Sequence, residues 1–424
     1  MNYRRITPTG EEENLDLQAV IAIPGFSLEA CTEAVRRVVR RHESLRTLYV
    51  MDHGMPPSQN VQADVVIHAL VDTAPGPQAP SGGNRLLAML TRSSIDTRTE
   101  PPIRVGFSAD AEGVRQVVVV VSRMAVDGWG YENLLRELLR EARHPNEEKA
   151  DTAQVFQQLD QFTWEQSTHG KRREEAAIAY RAATVGQVTG ARPQQKKAMF
   201  TDGSVRHGGV SLGLEAQAAL SSLSKRYSVS TSTLLLAAFA LESSKALDLN
   251  DFLIMLHSAN RFDPLRMRSV TRLKSTTLLP CRNEPSRRSF EQLAAEMRDF
   301  SMTAYWNSQL SPEIHVSLMD SRAAGWRTGN PLIMQFNDRR VLSEMPEEDS
   351  SSPPSDIPVF PDTPAVAPEA VRHSEDATLD LAVDPCVRTG GVALQLETNL
   401  LSEQGVTDLL SGIRKTVLKA SRKD

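Results

Sequence analysis

The stretch SRMAVDGWG, residues 122–130, lies between a run of β-branched residues and an apolar helical pattern. Residues 116–121 read QVVVVV, which predicts a central strand covered on both faces. After Gly130, leucines recur at helical spacing: Leu134, Leu135, Leu138 and Leu139. The sequence therefore predicts a strand, a short polar turn and a helix. The end of such a buried strand is a rigid place to hold functional side chains.

The composition is that of a folded protein without a bias toward polyanionic partners. The 424 residues suit two domains of about 200 residues each. Hydrophobic residues make up 40% and charged residues 24%, and the net charge is −5 with both signs interspersed. We therefore expect neither nucleic acid nor an anionic membrane as a partner.

Motifs for metals, disulfides and nucleotides are missing from the sequence. The widely spaced Cys31, Cys281 and Cys386 fit neither a disulfide framework nor a CxxC metal site, so we expect no metal and a cytoplasmic location. Gly82-Gly83 follow a Pro-rich loop, and no P-loop, GxGxxG or HExxH occurs, so no ATP or nicotinamide is implied. The N-terminus does not resemble a signal peptide, and the longest apolar run, 234–241, is too short to span a membrane.

The order of elements suggests two lobes. We interpret residues 1–185 as an N-terminal lobe carrying the 122–130 stretch, 186–202 as a polar connection, and 203–424 as a C-terminal lobe. Residues 344–369, rich in Pro, Ser and acid, are predicted to be a mobile insertion. Ser27 is predicted to cap the first helix, and further helices are predicted at 154–168, 172–184, 214–226, 231–246, 290–306 and 403–420. Strands are predicted at 45–50, 65–70, 103–107, 210–212, 252–258, 331–336 and 392–398, and 75–84 is predicted to be a loop.

Six short segments resemble, in order, elements of the condensation domains of nonribosomal peptide synthesis. Residues 41–49, RHESLRTLY, resemble the family's RHExLRTxF element, and residues 122–130 resemble HHxxxDGWS at the Asp-Gly-Trp positions. The other four are DQFTW at 160–164, Asn260-Arg261, LPCR at 279–282 and GNPL at 329–332. Together they cover nearly the whole chain, which is similar to a free-standing member of this superfamily.

The resemblance implies an α/β fold of two chloramphenicol-acetyltransferase-like lobes, forming a V-shaped pseudodimer with a central tunnel. It also implies a partner acyl or peptidyl carrier protein, whose phosphopantetheine arm enters the tunnel, with no cofactor bound directly. The implied reaction forms an amide between a carrier-bound acyl or aminoacyl thioester and an amine, which is either a small molecule or carrier-bound. The setting would be antibiotic or peptide natural-product biosynthesis.

Three residues of the stretch have structural interpretations. Asp127 would be costly to bury unpaired, and the resemblance suggests Arg261 of the other lobe as its salt-bridge partner. Gly128 is interpreted as a backbone requirement. Trp129 is either a core anchor or a residue lining the tunnel, and the sequence does not distinguish these alternatives.

Ser122-Arg123 departs from the family pattern, because a histidine pair is expected there. Arginine stays protonated, so Arg123 cannot take a proton from an amine, although it can donate hydrogen bonds to a developing oxyanion. Losing a general base costs about 10²–10⁴ in rate. An amine nucleophile partly survives this loss because its free base already attacks thioesters. The substitution therefore favours amide over ester formation.

Two residues remain as candidate replacements for the missing histidine. His257 lies four residues before Arg261 on a predicted strand, and is interpreted either as a base or as a satisfied core histidine. Ser122 would be a nucleophile only beside a base, and no GxSxG elbow surrounds it, so a small strand-end residue is the simpler interpretation. His42 is expected to be structural, and His315 is expected near the tunnel mouth.

Two other functions are compatible with the altered motif. One is a catalytically inactive condensation-like module that binds a carrier protein and recruits a tailoring enzyme. The other is an O-acyltransferase of the same superfamily, which the missing base disfavours.

Overall fold

The computed structural model describes residues 16–50, 58–73, 82–144, 155–188, 204–309, 333–340, 372–373, 379–386 and 391–422. The expectations for His315, for the segment 329–332 and for the insertion at 344–369 concern residues outside these ranges. No helix among the described residues is long and apolar enough to cross a membrane.

The first sheet has four strands in the order β1-β6-β5-β4. Their bounds are Leu17–Phe26 for β1, Ala69–Asp72 for β4, Ile103–Asp110 for β5 and Gly113–Val121 for β6. β6 lies between β1 and β5 and runs antiparallel to both. Val119 and Val121 pack into one apolar cluster while Val118 and Val120 pack into another, so both faces of β6 are covered as predicted.

Three helices cover this sheet: α1 (Leu28–Arg41), α2 (Gly82–Leu90) and α3 (Gly128–Arg143). Ser27 caps α1 as predicted, its hydroxyl accepting from the Ala30 N–H at 3.0 Å. The buried His42 lies 2.6 Å from a carboxylate oxygen of Glu137 on α3, which fits a structural role.

Several sequence predictions in this part of the chain were wrong in their bounds. Residues 43–46 form a 3₁₀ turn, so the strand predicted from 45 begins at Thr47 as β2 (Thr47–Val50), which pairs with β3 (Ser58–Val61). The strand predicted at 65–70 is β4, and it begins only at Ala69. Residues 82–84 of the predicted loop lie in α2, and residues 75–81 lie outside the described residues. β1 was not predicted.

The second sheet has seven strands in the order β11-β7-β13-β12-β10-β8-β9. Their bounds are Ser204–Ser211 for β7, Phe252–Ser258 for β8, Ser275–Cys281 for β9, Ile333–Asp338 for β10, Arg372–His373 for β11, Leu379–Cys386 for β12 and Gly391–Thr398 for β13. β10 runs parallel to β8 and β12, and the other pairs are antiparallel. The associated helices are α6 (Gly213–Tyr227), α7 (Thr231–Leu247), the short α8 (Pro264–Arg268), α9 (Phe290–Trp306) and α10 (Glu403–Ser421).

Two helices join the halves of the chain: α4 (Gln158–Gln166) and α5 (Thr168–Gln187). The sequence places α5 in the N-terminal lobe, yet it packs against β9 of the second sheet. The Tyr180 hydroxyl donates to the Leu278 carbonyl oxygen at 2.9 Å, and Val188 packs with Leu253 and Leu278. α5 therefore contacts the second sheet already at Tyr180, before residue 186, where the predicted connection begins.

Candidate functional site

The site begins where β6 ends. Ala125 and Val126 donate backbone hydrogen bonds to the Ser122 carbonyl oxygen at 3.1 and 3.3 Å, which closes a tight turn after the strand. Asp127 then caps α3, its Oδ1 accepting from the Gly130 N–H at 2.8 Å. An N-cap carboxylate satisfies a free helix N–H and is favoured by the helix dipole. The turn is therefore fixed at both ends.

Asp127 is bound mainly by the second half of the chain. Arg261 donates to its two carboxylate oxygens at 2.8 and 2.9 Å, and the backbone N–H groups of Leu273 and Lys274 donate at 2.9 and 2.8 Å. The side chains are almost fully enclosed, 5% exposed for Asp127 and 1% for Arg261. Burial raises the pKa of Asp127, but the charge and hydrogen bonds of Arg261 more than offset this and lower the pKa below its ordinary value. Asp127 therefore stays charged in its salt bridge with Arg261 and does not serve as a proton acceptor.

The loop after Arg261 closes over the start of α3. The Trp129 indole Nε1 donates to the Met267 carbonyl oxygen at 2.8 Å, and the Asn133 amide donates to Met267 and Ser269 carbonyl oxygens at 2.9 and 3.0 Å. Trp129 is only 8% exposed. This geometry fits the anchor interpretation of Trp129 better than the tunnel-lining one.

The backbone requirement at Gly128 stays a prediction, whereas the structure shows a steric requirement for glycine at Gly130. Gly128 is not among the described glycines with positive φ. At Gly130, an added Cβ would lie 2.2 Å from the Val270 carbonyl oxygen. The close approach of the second-half loop to α3 therefore needs glycine at position 130.

Ser122 and Arg123 differ in environment. Ser122 is buried, and its hydroxyl accepts from the Met124 N–H at 3.3 Å, with no histidine or carboxylate partner among the described residues. This geometry fits the interpretation of Ser122 as a small residue at the end of a strand.

Arg123 is exposed, and Arg272 donates to its carbonyl oxygen at 2.7 Å. Surrounding protein lowers the pKa of the Arg123 guanidinium, and the nearby charges of Arg339 and Arg272 lower it further.

His257 lies on β8, facing β10. Gln335 donates its amide to Asp380 at 3.1 Å, which turns the Gln335 Oε1 toward the imidazole Nε2, 3.2 Å away. The Nε2 therefore carries the hydrogen, and the buried Nδ1 has no hydrogen-bond partner among the described residues. Burial lowers the pKa of His257 to about 3, with the charges of Lys274 and Arg339 adding to the effect. So weak a base is poorly matched to proton transfer near neutral pH.

We expect His257 to make the protein less stable in acid. Its pKa is 6.5 when unperturbed and about 3 in the fold, so between these values the unfolded chain binds the additional proton. Stability should therefore fall as pH drops from about 6.5 toward 3. In urea unfolding at pH 5 and 8, His257→Gln should flatten this dependence, whereas His68→Gln at an exposed position should not. An imidazole of His257 that titrates near its unperturbed value in an NMR titration would contradict the expectation.

Lys274 is the residue that sequence reasoning missed. Its backbone N–H binds Asp127, its side chain is exposed, and its ammonium has no hydrogen-bond or ion-pair partner among the described residues. Burial lowers the pKa of Lys274 to about 8, and the charges of Arg123, Arg272 and Arg339 contribute. The sequence signal was the pair Arg272 and Lys274 just before β9. The other cations near them, Arg123 and Arg339, come from distant segments, so the spacing of residues along the chain could not reveal that they lie together.

We define the basic cluster as four cationic residues: Arg123, Arg272, Lys274 and Arg339. In addition to burial, Arg339 and Arg272 lower the pKa of Arg123, and Arg123, Arg272 and Arg339 lower the pKa of Lys274. Such a group can donate hydrogen bonds to an anion or to an oxyanion that develops during reaction. Among the described residues, no set of histidine, cysteine and carboxylate side chains is arranged to hold a metal ion.

The chain matches no protein-family model. Among curated proteins, it is 24% identical over 262 residues to malpibaldin synthetase of Mortierella alpina, a match that covers 59% of this chain and 5% of that protein. Because the chain spans only a small part of this relative, the match does not carry over the synthetase's activity.

Solved structures match over nearly the full length. The condensation domain of the monacolin K polyketide synthase MokA is 14% identical, with a TM-score of 0.70, covering 96% of this chain and 91% of that one. The X-domain from teicoplanin biosynthesis is 16% identical, with a TM-score of 0.68, covering 97% and 91%. The X-domain is also solved as a complex with OxyB. The α/β fold is therefore that of condensation domains, and the resemblance drawn from the six sequence segments is confirmed at the level of the fold.

Proposed function

We propose that the chain is a condensing acyltransferase of antibiotic or peptide natural-product biosynthesis, acting in the cytoplasm. It would join a carrier-bound acyl or aminoacyl thioester to an amine. The observation that carries this proposal is the position of Arg123: it lies in the turn that leads to the salt bridge of Asp127 with Arg261, and its side chain is exposed to solvent. The phosphopantetheine arm of an acyl or peptidyl carrier protein would bring the thioester there.

The reaction needs little from a protein base. The free amine attacks the thioester carbonyl carbon, the carbonyl oxygen becomes an oxyanion, and the C–S bond then breaks to release the thiolate. The amine nitrogen gives up one proton to solvent, and the thiolate takes one up. Arg123 donates to the oxyanion, where a fixed cation is most effective. With His257 so weakly basic, the site suits an amine nucleophile better than an alcohol.

A recruitment module is the second candidate, and one comparison favours it specifically. The X-domain shares the fold and is solved in complex with OxyB, and the present chain has lost the histidine pair. In this alternative the chain would bind a carrier protein and a tailoring enzyme without forming a bond.

Reconstitution distinguishes the two candidates. Acyl groups are presented as carrier-bound thioesters or as acyl-pantetheine, a panel of amines is added, and products are measured by mass spectrometry. We expect amide to form faster than in the protein-free control. Binding of the carrier protein without turnover across the whole panel would instead support the recruitment module.

A further inference from the structure

The basic cluster joins cations from distant parts of the chain. Arg123 follows β6 of the first sheet, whereas Arg272 and Lys274 precede β9 and Arg339 follows β10 of the second. The backbone holds them in place: the Arg272 N–H donates to the Ala125 carbonyl oxygen at 3.0 Å, and the Lys274 N–H donates to Asp127 at 2.8 Å. The cluster therefore lies where the two halves of the chain meet, on backbone held by hydrogen bonds, with the side chains of Arg123 and Lys274 exposed to solvent.

The carboxylates that face the cluster already have partners, and one of these partners, Arg339, belongs to the cluster itself. Asp127 is held by Arg261 and three backbone N–H groups, and Asp384 pairs with Arg339. Asp16 also acts electrostatically on Arg123, and burial raises the pKa of Asp16 above its ordinary value. Lys274 keeps no described partner for its ammonium. Lys274 is repelled by Arg123, Arg272 and Arg339 and attracted by Asp127, which already pairs with Arg261, so a bound anion would offset the remaining repulsion.

We propose that the basic cluster binds an anionic group of the substrate, a carboxylate or a phosphate, beside the reacting thioester. The proposal rests on the proposed function, because Arg123 faces the reaction there, and it adds a class of substrate. Arginine forks and a lysine ammonium are the side chains best suited to such oxyanions. Arg123 and Lys274 are exposed to solvent, so an anion can reach them.

Direct binding tests the site without any turnover. Succinate and inorganic phosphate are the probes, succinamide is the neutral control, and the protein carries ¹³C-labelled lysines. We expect either anion to raise the pKa of Lys274 from about 8 toward its ordinary value, whereas succinamide leaves it unchanged. In calorimetry, Lys274→Met should weaken anion binding about tenfold, and Lys274→Arg should restore most of it. Thermal melting checks that each variant is folded.

Matched substrate pairs then show whether the acceptor or the donor supplies the anion. One comparison uses β-alanine and β-alaninamide as acceptors, and the other uses succinyl- and succinamoyl-pantetheine as donors. For the substrate that supplies the anion, we expect kcat/KM to favour the charged member of the pair about tenfold, and we expect Lys274→Met to abolish that preference. A response to phosphate alone assigns the site to the phosphate of the pantetheine arm, which still supports an anion site.

The two proposals fail separately. Anion binding that depends on Lys274, without amide formation from any substrate pair, would contradict the acyltransferase proposal but support the anion-binding site. Amide formation at equal rates for both members of each pair, with no response of Lys274 to succinate or phosphate, would overturn the anion site and leave the acyltransferase standing.

Discussion

Replacing Asp127 with alanine should lower the free energy of unfolding by about 3–5 kcal/mol, because it leaves the guanidinium of Arg261 buried without its counter-ion. Arg261 is 1% exposed and cannot turn toward water. The N–H groups of Gly130, Leu273 and Lys274 lose their acceptor at the same time. Urea unfolding, followed by circular dichroism, measures the change.

Two further variants show whether loss of the salt bridge between Asp127 and Arg261 causes this decrease in stability. Arg261→Met added to Asp127→Ala should cost less than the two single losses together, since it removes the unpaired charge. Arg422→Met breaks a pair with Glu215 whose side chains are 71% and 60% exposed, and should change stability by less than about 1 kcal/mol. If Asp127→Ala lowers the free energy of unfolding no more than Arg422→Met does, the salt bridge of Asp127 with Arg261 does not hold the two halves together.

Local pattern was enough to predict the core of the first half. The valine run of β6 is buried on both faces and the leucines of α3 form its inner stripe, and both followed from residue type and spacing. β1 carries a comparable alternation in Ala19, Ile21 and Ile23, which are buried. Pro24 and Gly25 follow directly, and such residues weaken a strand pattern, so this strand escaped prediction.

The site was predictable only where a resemblance supplied a long-range contact. The resemblance named Arg261 as the partner of Asp127, and the fold brings them within 2.8 Å across 134 positions of sequence. No such guide existed for Arg272, Lys274 or Arg339, which join Arg123 only through the packing of both sheets. The weak basicity of His257 was also beyond the sequence, because it arises from burial and from the charge of Lys274.

Replacing Arg123 with methionine should reduce the rate of amide formation by about 10²–10³ in kcat, provided that its guanidinium stabilises the oxyanion as proposed. A donor that acts only on developing charge contributes to the transition state more than to substrate binding, so KM should change little. Arg123→Lys keeps the charge but loses the planar fork, and should retain part of the rate. Single-turnover assays with acyl-pantetheine and an uncharged amine measure the chemical step without the contribution of anion recognition.

Arg115 provides the matched control for Arg123, because it lies on β6, the strand that Arg123 follows, and pairs with Asp110, with both side chains exposed. Arg115→Met removes a guanidinium from the other end of this strand and should leave the rate unchanged. Arg123 is exposed, so its truncation should not unfold the chain, and equal melting temperatures for the two variants would establish this. A fully active, folded Arg123→Met variant would remove Arg123 from the reaction and leave the anchored turn as a purely structural element.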